Sequence, residues 1–492
     1  MKRTLIFVVA YQAEQFIASV LERIKTQIKF QPEFEILVID DASSDQTHQV
    51  VEEFKRNNTD LAITNLVNPI NQGYGGNQQI GYRYAIDHGF EVVILIHGDG
   101  QYPPELIHEM IEPILNDQYD VMLGSRMMNK QDALQGGMPI YKWIGNQILT
   151  WGENLLLGQR LSEFHTGFRA YRVAALASIP LEYTSKYFDF DTDILIQLTD
   201  NHFRIGEIPI PTRYGDEISR VNGFKYGWKI MKSCVQSRIM RLGLFYNPKF
   251  DYSQATDGTE RYESKLDFPS SHRMAFERIE KDAVVVDLGA GPGHLAKALI
   301  GKTEEIHSFD RVVSDELKFY SKTTEQIDLD TLAAWQLPPK ATTVLLLDIL
   351  EFLDSPENLL MLLREKYAPQ QPEMIISVGN VAFILTRLSL FFGKFNYGRL
   401  GILEMNKKRL FTRSSLLRML KDRGYKILAI RGIPAPYHKV FPNQRWFAAF
   451  LQTINRALIL ILPGLFSYQT FVIAKPTLTL DQLLEDAENR TD

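Results

Sequence analysis

Five groups of residues in this chain could do chemistry. In VVILIHGDGQYPPE, Val92 to Glu105, one carboxylate (Asp99) and one imidazole (His97) stand among Gly98 and Gly100, which clear space around them. In LVIDDASSDQT, Asp40 and Asp41 close an apolar run, where a carboxylate can accept hydrogen bonds from a ribose or a base edge. Ser43, Ser44 and Asp45 also suit a helix cap, which accounts for one acid but not for two plus a strand end. Gly73, Gly75 and Gly76 precede a helix-like run. Glycines there let backbone N–H groups approach a phosphate, and a plain turn favours them equally. Asp189, Asp191 and Asp193 crowd the start of TDILIQL, as a helix cap or as a general base for a hydroxyl acceptor. In VVVDLGAGPGHLAKAL, Gly289, Gly291 and Gly293 follow Asp287. A dinucleotide loop needs its third glycine at 294, where His294 stands, so the spacing argues against a nicotinamide cofactor.

Strands must carry these groups. TLIFVVA (4–10), FEILVID (34–40), VVILIH (92–97) and DVMLGS (120–125) read as buried strands. Helix-period stretches such as AEQFIASVLERI and QTHQVVEEFKR separate them. Strand–helix alternation predicts a mostly parallel sheet covered on both faces, with ligands at the carboxyl ends of its strands. YNPKFDYSQATDGTERYESK is polar and aperiodic and reads as a linker. Beyond it the alternation restarts, with IHSFD, TTVLLLD, EMIISVGN, YKILAIRG and YQTFVIA as strands. The expected division is 1–242, a linker at 243–267, a second domain at 268–478 and a frayed acidic tail at 479–492.

The 492 residues exceed one core and suggest two or three domains. A formal net charge of −5 gives no electrostatic reason to expect nucleic acid as a partner. Cys234 is the only cysteine, which excludes an intrachain disulfide and a cysteine zinc site and fits a reducing compartment. MKRTLIFVVAYQAEQF reads as a first strand rather than a signal peptide, since its apolar run is short and Glu14 follows at once. VAFILTRLSLFF (381–392) and ALILILPGLF (457–466) fall short of the roughly 20 apolar residues of a spanning helix. They are expected to be core helices, with a membrane-surface helix as the alternative.

Taken in order, VVAYQAEQ, VIDDASSDQT, NQGYGGNQQIGYRYA, HGDGQYPPE, GSRM, SEFHTGFRAYR, FDFDTDILIQ and IPIPTRYGDEIS resemble the inverting GT-A glycosyltransferases of family two, the dolichyl-phosphate mannose and glucose synthase-like group. The resemblance spans roughly residues 1–242. It implies a nucleotide-sugar donor, a polyprenyl-phosphate or glycan acceptor, and Mg²⁺ or Mn²⁺ bridging the donor diphosphate. It places Asp99 and Gln101 at the metal, with His97 where the family has another aspartate. Imidazole would favour Mn²⁺ if it ligates; otherwise it only hydrogen-bonds. The same resemblance puts Tyr11, Glu14, Asp40, Asp41 and Gly73 around the nucleotide. It puts Arg126 and the turn Thr166–Gly167–Phe168–Arg169 near donor and acceptor, and Arg213 on the acceptor phosphate. A phosphate acceptor needs no base; a hydroxyl would need one from Asp191 or Asp193.

The glycine spacing behind Asp287 resembles motif I of class I S-adenosylmethionine-dependent methyltransferases, a Rossmann-like fold, over roughly residues 268–475. That resemblance implies that Asp287, Gly289, Gly291, Gly293, Asp310 and Asp348 bind S-adenosylmethionine, with Asp310 on the ribose hydroxyls. It departs at Phe352, Glu404 and Lys407, on the methyl-acceptor side. The whole is expected to be an α/β chain with two nucleotide-binding domains, a bifunctional transferase of surface glycan or glycolipid synthesis. It would be cytoplasmic, peripheral at the inner membrane face if the sugar acceptor is a lipid. The alternatives are a glycosyltransferase with a non-catalytic cofactor-binding appendage, and a nucleotide-binding scaffold, against which Asp99 and Arg213 argue.

Overall fold

β1 (Thr4–Ala10) is apolar along its length because helices cover both faces of its sheet. The computed structural model describes residues 3–29, 31, 33–211, 223–251, 264–331 and 337–489. Contacts divide the chain into two units, Met1–Arg238 with Asn247–Tyr252, and Ile239–Tyr246 with Ser253–Asp492.

In the first unit β1 joins β2 (Phe34–Asp40), β3 (Ile63–Val67), β4 (Val92–His97), β5 (Val121–Ser125), β6 (Arg169–Arg172) and β7 (Ile205–Pro209) in the order β3-β2-β1-β4-β6-β5-β7. β1 to β4 are parallel, β5 runs with β7, and β6 is antiparallel to both its neighbours. Register sets Ala10 beside Asp40 and Val9 beside His97, so the polar residues after three strands emerge along one sheet edge. The helix Ile17–Ile28 buries Ile17, Val20, Leu21, Ile24 and Ile28, the 3.6-residue stripe that the sequence carries.

The second unit holds β8 (Val284–Leu288), β9 (Glu305–Asp310), β10 (Thr323–Gln326), β11 (Thr343–Leu347), β12 (Glu373–Gly379), β13 (Tyr425–Ile433) and β14 (Gln469–Pro476), ordered β10-β9-β8-β11-β12-β14-β13. The first five of that order are parallel, and β14 alone runs against its neighbours.

Several expectations are corrected. Pro248–Phe250, inside the expected linker, is a 3₁₀ turn of the first unit with Phe250 buried; residues 252–263 of that linker lie outside the described residues. The acidic tail forms a helix, Leu480–Glu488, because Thr479 and Gln482 exchange hydrogen bonds in a capping box. The two greasy stretches are not core helices. In Ile384–Phe391 the buried residues are Thr386 and Ser389, while Phe391 is 83% exposed; in Arg445–Ile461, Leu460 is 86% exposed. Apolar composition gave the helices but not the side they turn inward. Among the described residues, no helix is long and apolar enough to cross a membrane.

Candidate active site

The strand β4 ends at His97 and passes Gly98, whose N–H donates to Val9 O at 2.9 Å. A Cβ on Gly98 would lie 2.8 Å from Ile17 Cδ1, so only glycine lets the tip press this closely on its neighbours. The Asp99 side chain is 42% exposed, and its Oδ1 accepts the Gln101 N–H at 3.0 Å. Oδ2 faces His97 Nδ1 at 3.9 Å. Gln101 thus holds Asp99 through its main chain.

His97 is wedged edge-on between Tyr74 and Tyr102, with ring centroids 5.5 and 4.9 Å away. Burial lowers its pKa against the pull of Asp99, which keeps the ring neutral. The Tyr74 hydroxyl donates to Asp191 Oδ2 at 3.1 Å and lies 3.3 Å from His97 Nε2. With Tyr74 directing its one proton to an ionised Asp191, the contact favours the His97 tautomer that carries its proton on Nε2. The Nδ1 lone pair then faces Asp99. Gly167 lets the following turn close over the ring, since a Cβ there would sit 2.5 Å from Nε2.

One imidazole lone pair and one half-exposed carboxylate suit a divalent cation whose other ligands come from diphosphate oxygens and water. Among the described residues, no group of three or more His, Cys, Asp or Glu could hold a metal by protein ligands alone.

Behind this pair lies a buried ionic layer. Arg169, expected near the ligands, is wholly buried. It donates to Thr166 O at 2.6 Å, Phe164 O at 2.8 Å and Asp191 O at 3.0 Å, so it braces the 164–169 turn instead. Thr166 is likewise buried. Asp191 Oδ1 lies 3.6 Å from Arg169 Nη2, and burial pushes the Asp191 pKa up. Asp193, expected as a general base should the acceptor be a hydroxyl, is held by the protein. Its side chain is fully buried, accepts from Ser185 N at 3.0 Å and pairs with Lys249 at 2.8 Å. Asp189 stands at the N-cap of Phe190–Asp200 without a side-chain capping bond and pairs with Lys229 at 3.2 Å.

Arg126, just after β5, pairs with buried Glu163 and donates to His165 O at 3.0 Å. Burial opposes charge on Glu163, but Arg126 outweighs it and holds the carboxyl below its usual range. His165 contacts Glu153 at 3.0 Å and Tyr226 Oη at 3.2 Å. Burial disfavours the imidazolium there too, and Glu153 overcomes it, raising the His165 pKa. Tyr74, Glu153, Glu163 and His165 were not singled out from sequence. The signal for Glu153 was available, a lone acid in the apolar run LTWGENLLL.

The nucleoside-side acids are partly committed to the protein. Asp40 accepts from Ser43 N at 3.1 Å and from the Ser43 hydroxyl. Asp41 accepts from Asn68 Nδ2 and Gln72 N, both at 2.7 Å, and from Gly73 N at 2.9 Å. The phosphate-cradle reading of these glycines is therefore corrected. Gly75 N and Gly76 N donate to Lys186 O at 3.0 and 3.3 Å, so their amides already have acceptors. Glu14 accepts from Gln46 N at 2.8 Å, and Tyr11, just after β1, is half exposed. Arg213 lies outside the described residues.

In the second unit Asp287 is buried at the end of β8, and burial, with Asp310 nearby, pushes its pKa up to about 7. Gly289, Gly291 and Gly293 all have positive φ. A Cβ added at Gly291 would find no atom within 4 Å, and the Gly291 N–H donates to Asp310 Oδ2 at 2.8 Å. Asp310 Oδ1 accepts from Val312 N at 3.0 Å. Asp348, expected at the cofactor, is instead a hub. It accepts from Ser377 Oγ at 2.6 Å, Gln469 Nε2 at 3.0 Å, Lys265 Nζ at 3.1 Å and Ser271 Oγ at 3.1 Å. These account for the usual acceptor capacity of a carboxylate. Lys407 is buried against Glu351 at 3.1 Å.

Residues 5–179 match the family model described as Glycosyl transferase family 2. The chain is similar to the UDP-N-acetylglucosamine–dolichyl-phosphate N-acetylglucosaminyltransferase of Methanococcus voltae, 27% identical over 232 residues, covering 45% of this chain and 90% of that protein. It is similar to the undecaprenyl-phosphate mannosyltransferase of Micrococcus luteus, 27% identical over 213 residues, covering 42% and 82%. Among solved structures, glucosyl-3-phosphoglycerate synthase from Mycobacterium tuberculosis, in complex with Mn²⁺, UDP and glucosyl-3-phosphoglycerate, gives a TM-score of 0.35 at 13% identity over 48% of this chain and 79% of that one. The likeness to glycosyltransferase family 2 lies in the N-terminal part of the chain, over residues 5–179.

Proposed function

We propose that the first unit, a GT-A glycosyltransferase, moves a sugar with inversion from a nucleotide-sugar donor to a polyprenyl phosphate, the acceptor class in the names of the two relatives above. The observation that carries this is Asp99, exposed at the tip of β4 with its Oδ2 3.9 Å from His97 Nδ1. Asp99 and His97 would hold Mg²⁺ or Mn²⁺, and when bound the ion supplies charge that offsets the departing nucleoside diphosphate. Asp191 orients Tyr74, Tyr74 fixes the His97 tautomer, and Arg169 and Glu163 hold the surrounding turns. Tyr11 and Glu14 border the nucleoside, and Arg213 grips the acceptor phosphate. A phosphate acceptor is already anionic, so Asp191 need not remove a proton. A screen of nucleotide sugars for thermal stabilisation that requires Mn²⁺ tests the reading, because a ligand selective for the native state raises the melting point. If no nucleotide sugar stabilises the protein with metal present, the reading fails.

For the second unit we propose a class I methyltransferase fold that binds S-adenosylmethionine on the Gly289–Gly293 loop. The doubly wound parallel order of β10-β9-β8-β11-β12 and the open space at Gly291 support it. A non-catalytic cofactor-binding unit is favoured by one observation, the saturated Asp348, which leaves that carboxylate no oxygen to act as a base. Methyl transfer from labelled S-adenosylmethionine, set beside calorimetric binding, separates the two.

A further inference from the structure

We propose that Phe188, on the loop before the helix Phe190–Asp200, is the shelf on which the hexose ring of the nucleotide-sugar donor lies, C–H face against ring face. The inference rests on the glycosyltransferase reading above and gives that site a sugar subsite.

The glycines on either side of Tyr74 bring this loop to the site. A Cβ on Gly73 would lie 2.6 Å from Lys186 O, and one on Gly75 would collide with Ser185 O. Main chain meets main chain there only because both positions lack a side chain. Hydrogen bonds then pin the loop. Lys186 O accepts from Gly75 N and Gly76 N, and Ser185 N donates to Asp193 Oδ2 at 3.0 Å. Gln79 Nε2 donates to Thr184 O at 3.1 Å and to Thr184 Oγ1 at 2.7 Å. Two aromatic residues follow at once, Tyr187, 65% exposed, and Phe188, 39% exposed. Rings left in water on a loop this firmly held are placed for a ligand rather than for a core.

Position and polarity select the occupant. The Phe188 ring stacks on Tyr74 with centroids 5.1 Å apart and planes inclined by 25°, and Tyr74 meets His97 edge-on at 5.5 Å. Phe188 therefore stands two ring contacts from the imidazole that faces Asp99. That is the reach of a sugar from the metal-bound phosphates that carry it. Tyr74 covers one face of Phe188, and the exposed remainder takes the ligand. Asp189, the next residue, gives one oxygen to Lys229 at 3.2 Å, and its other oxygen has no partner among the described residues. A pyranose is apolar over its C–H faces and polar at its rim, which a ring beside a carboxylate and an ammonium matches. An isoprenoid chain has no use for either charge, so the sugar is favoured over the lipid. Tyr187 is turned elsewhere, with Lys229 Nζ 4.9 Å above its ring.

The test is calorimetric titration of the full chain, with Mn²⁺ present, by UDP-glucose, UDP-N-acetylglucosamine and GDP-mannose, and by UDP and GDP. Phe188→Leu, which keeps an apolar side chain but removes the ring, should weaken the nucleotide sugar that binds by about five- to tenfold. The matching nucleoside diphosphate should stay within about twofold of wild type, since it lacks the hexose. Phe188→Trp should bind both as wild type, and so should Tyr187→Ala. The variants should melt near the wild-type temperature, because the altered rings are on the surface. The proposal is overturned if Phe188→Leu binds the nucleotide sugar as wild type, or weakens sugar and diphosphate forms alike. It is equally overturned if Phe188→Trp loses as much as Phe188→Leu, or if Phe188→Leu weakens only farnesyl phosphate, which would make the ring a lipid contact. In each of these cases the glycosyltransferase reading stands. If none of the nucleotides or nucleotide sugars binds with Mn²⁺, the shelf and the glycosyltransferase reading fall together.

Discussion

Both units put acids and glycines at the carboxyl ends of parallel strands, yet they hold them by different means. Around β4 the work is done by side chains. Arg169, Asp191, Tyr74 and His97 form a chain of contacts that ends at one half-exposed carboxylate, Asp99. Around β8 it is done by main chain. Three glycines with positive φ shape a loop that Asp310 fastens through the Gly291 and Val312 amides. The first site should therefore fail when a charge is removed, and the second when a side chain is added.

The sharpest break is Asp99→Ala. It should lower metal-dependent donor turnover by several kcal/mol, roughly 10³-fold, with little change in melting point. Full activity of that variant would end the metal assignment. Lys249→Met comes next, because it leaves the buried Asp193 carboxylate without its countercharge. A loss of about 3–5 kcal/mol is expected, seen as a lower melting transition of the first unit. If turnover per folded molecule fell while the melting point held, Asp193 would be catalytic after all. In the second unit, Gly291→Arg should weaken S-adenosylmethionine binding by calorimetry at least about 10²-fold, while its positive φ costs only about 1–2 kcal/mol of stability.

A pH series extends the contrast. Asp287 titrates at about 7 in the fold against 3.8 for the ordinary carboxyl, so the folded unit holds its proton more tightly than the unfolded chain. Its contribution is fully present below about pH 4 and is lost as pH rises towards 7. Asp348 runs the other way. Burial opposes its charge, but Lys265 and His272 outweigh burial and hold its pKa below the ordinary value. Its contribution is present above about pH 4 and fades as pH falls. Asp287→Asn should flatten the decline between about pH 4 and 7, raising the second unit's stability near neutrality by a few kcal/mol at most. An unchanged profile would place the Asp287 carboxyl in water. The smallest effect expected is that of His97→Ala, a few-fold shift from Mn²⁺ towards Mg²⁺ in donor stabilisation, since imidazole favours the former.

The strands that matter most were legible because both faces of β1, β2, β4 and β8 are buried, which writes a continuous apolar run into the chain. β3, β6, β7 and β10 were not anticipated. β6 reads RAYR, and it is a strand only because β4 and β5 lie antiparallel on either side of it. The Asp40–Ser43 contact is local and follows from spacing. The partners of Asp41 come from 27 to 32 residues away, beyond the reach of any local pattern.

Taken alone, the sequence determined the alternation of strands and helices, the strand tips that carry Asp99 and Asp287, and the glycine spacing that argues against a dinucleotide loop. Local backbone preference and burial period are written in neighbouring residues, so no tertiary contact is needed to read them. Which acid among Asp189, Asp191 and Asp193 faces the site was decided only in three dimensions, where Lys229 and Lys249 claim the outer two and Tyr74 claims the middle one. The outward turn of the apolar helices was settled at the same level. A side chain's composition says what it can bind, whereas the desolvation and charge that decide what it does bind come from partners brought in by the fold.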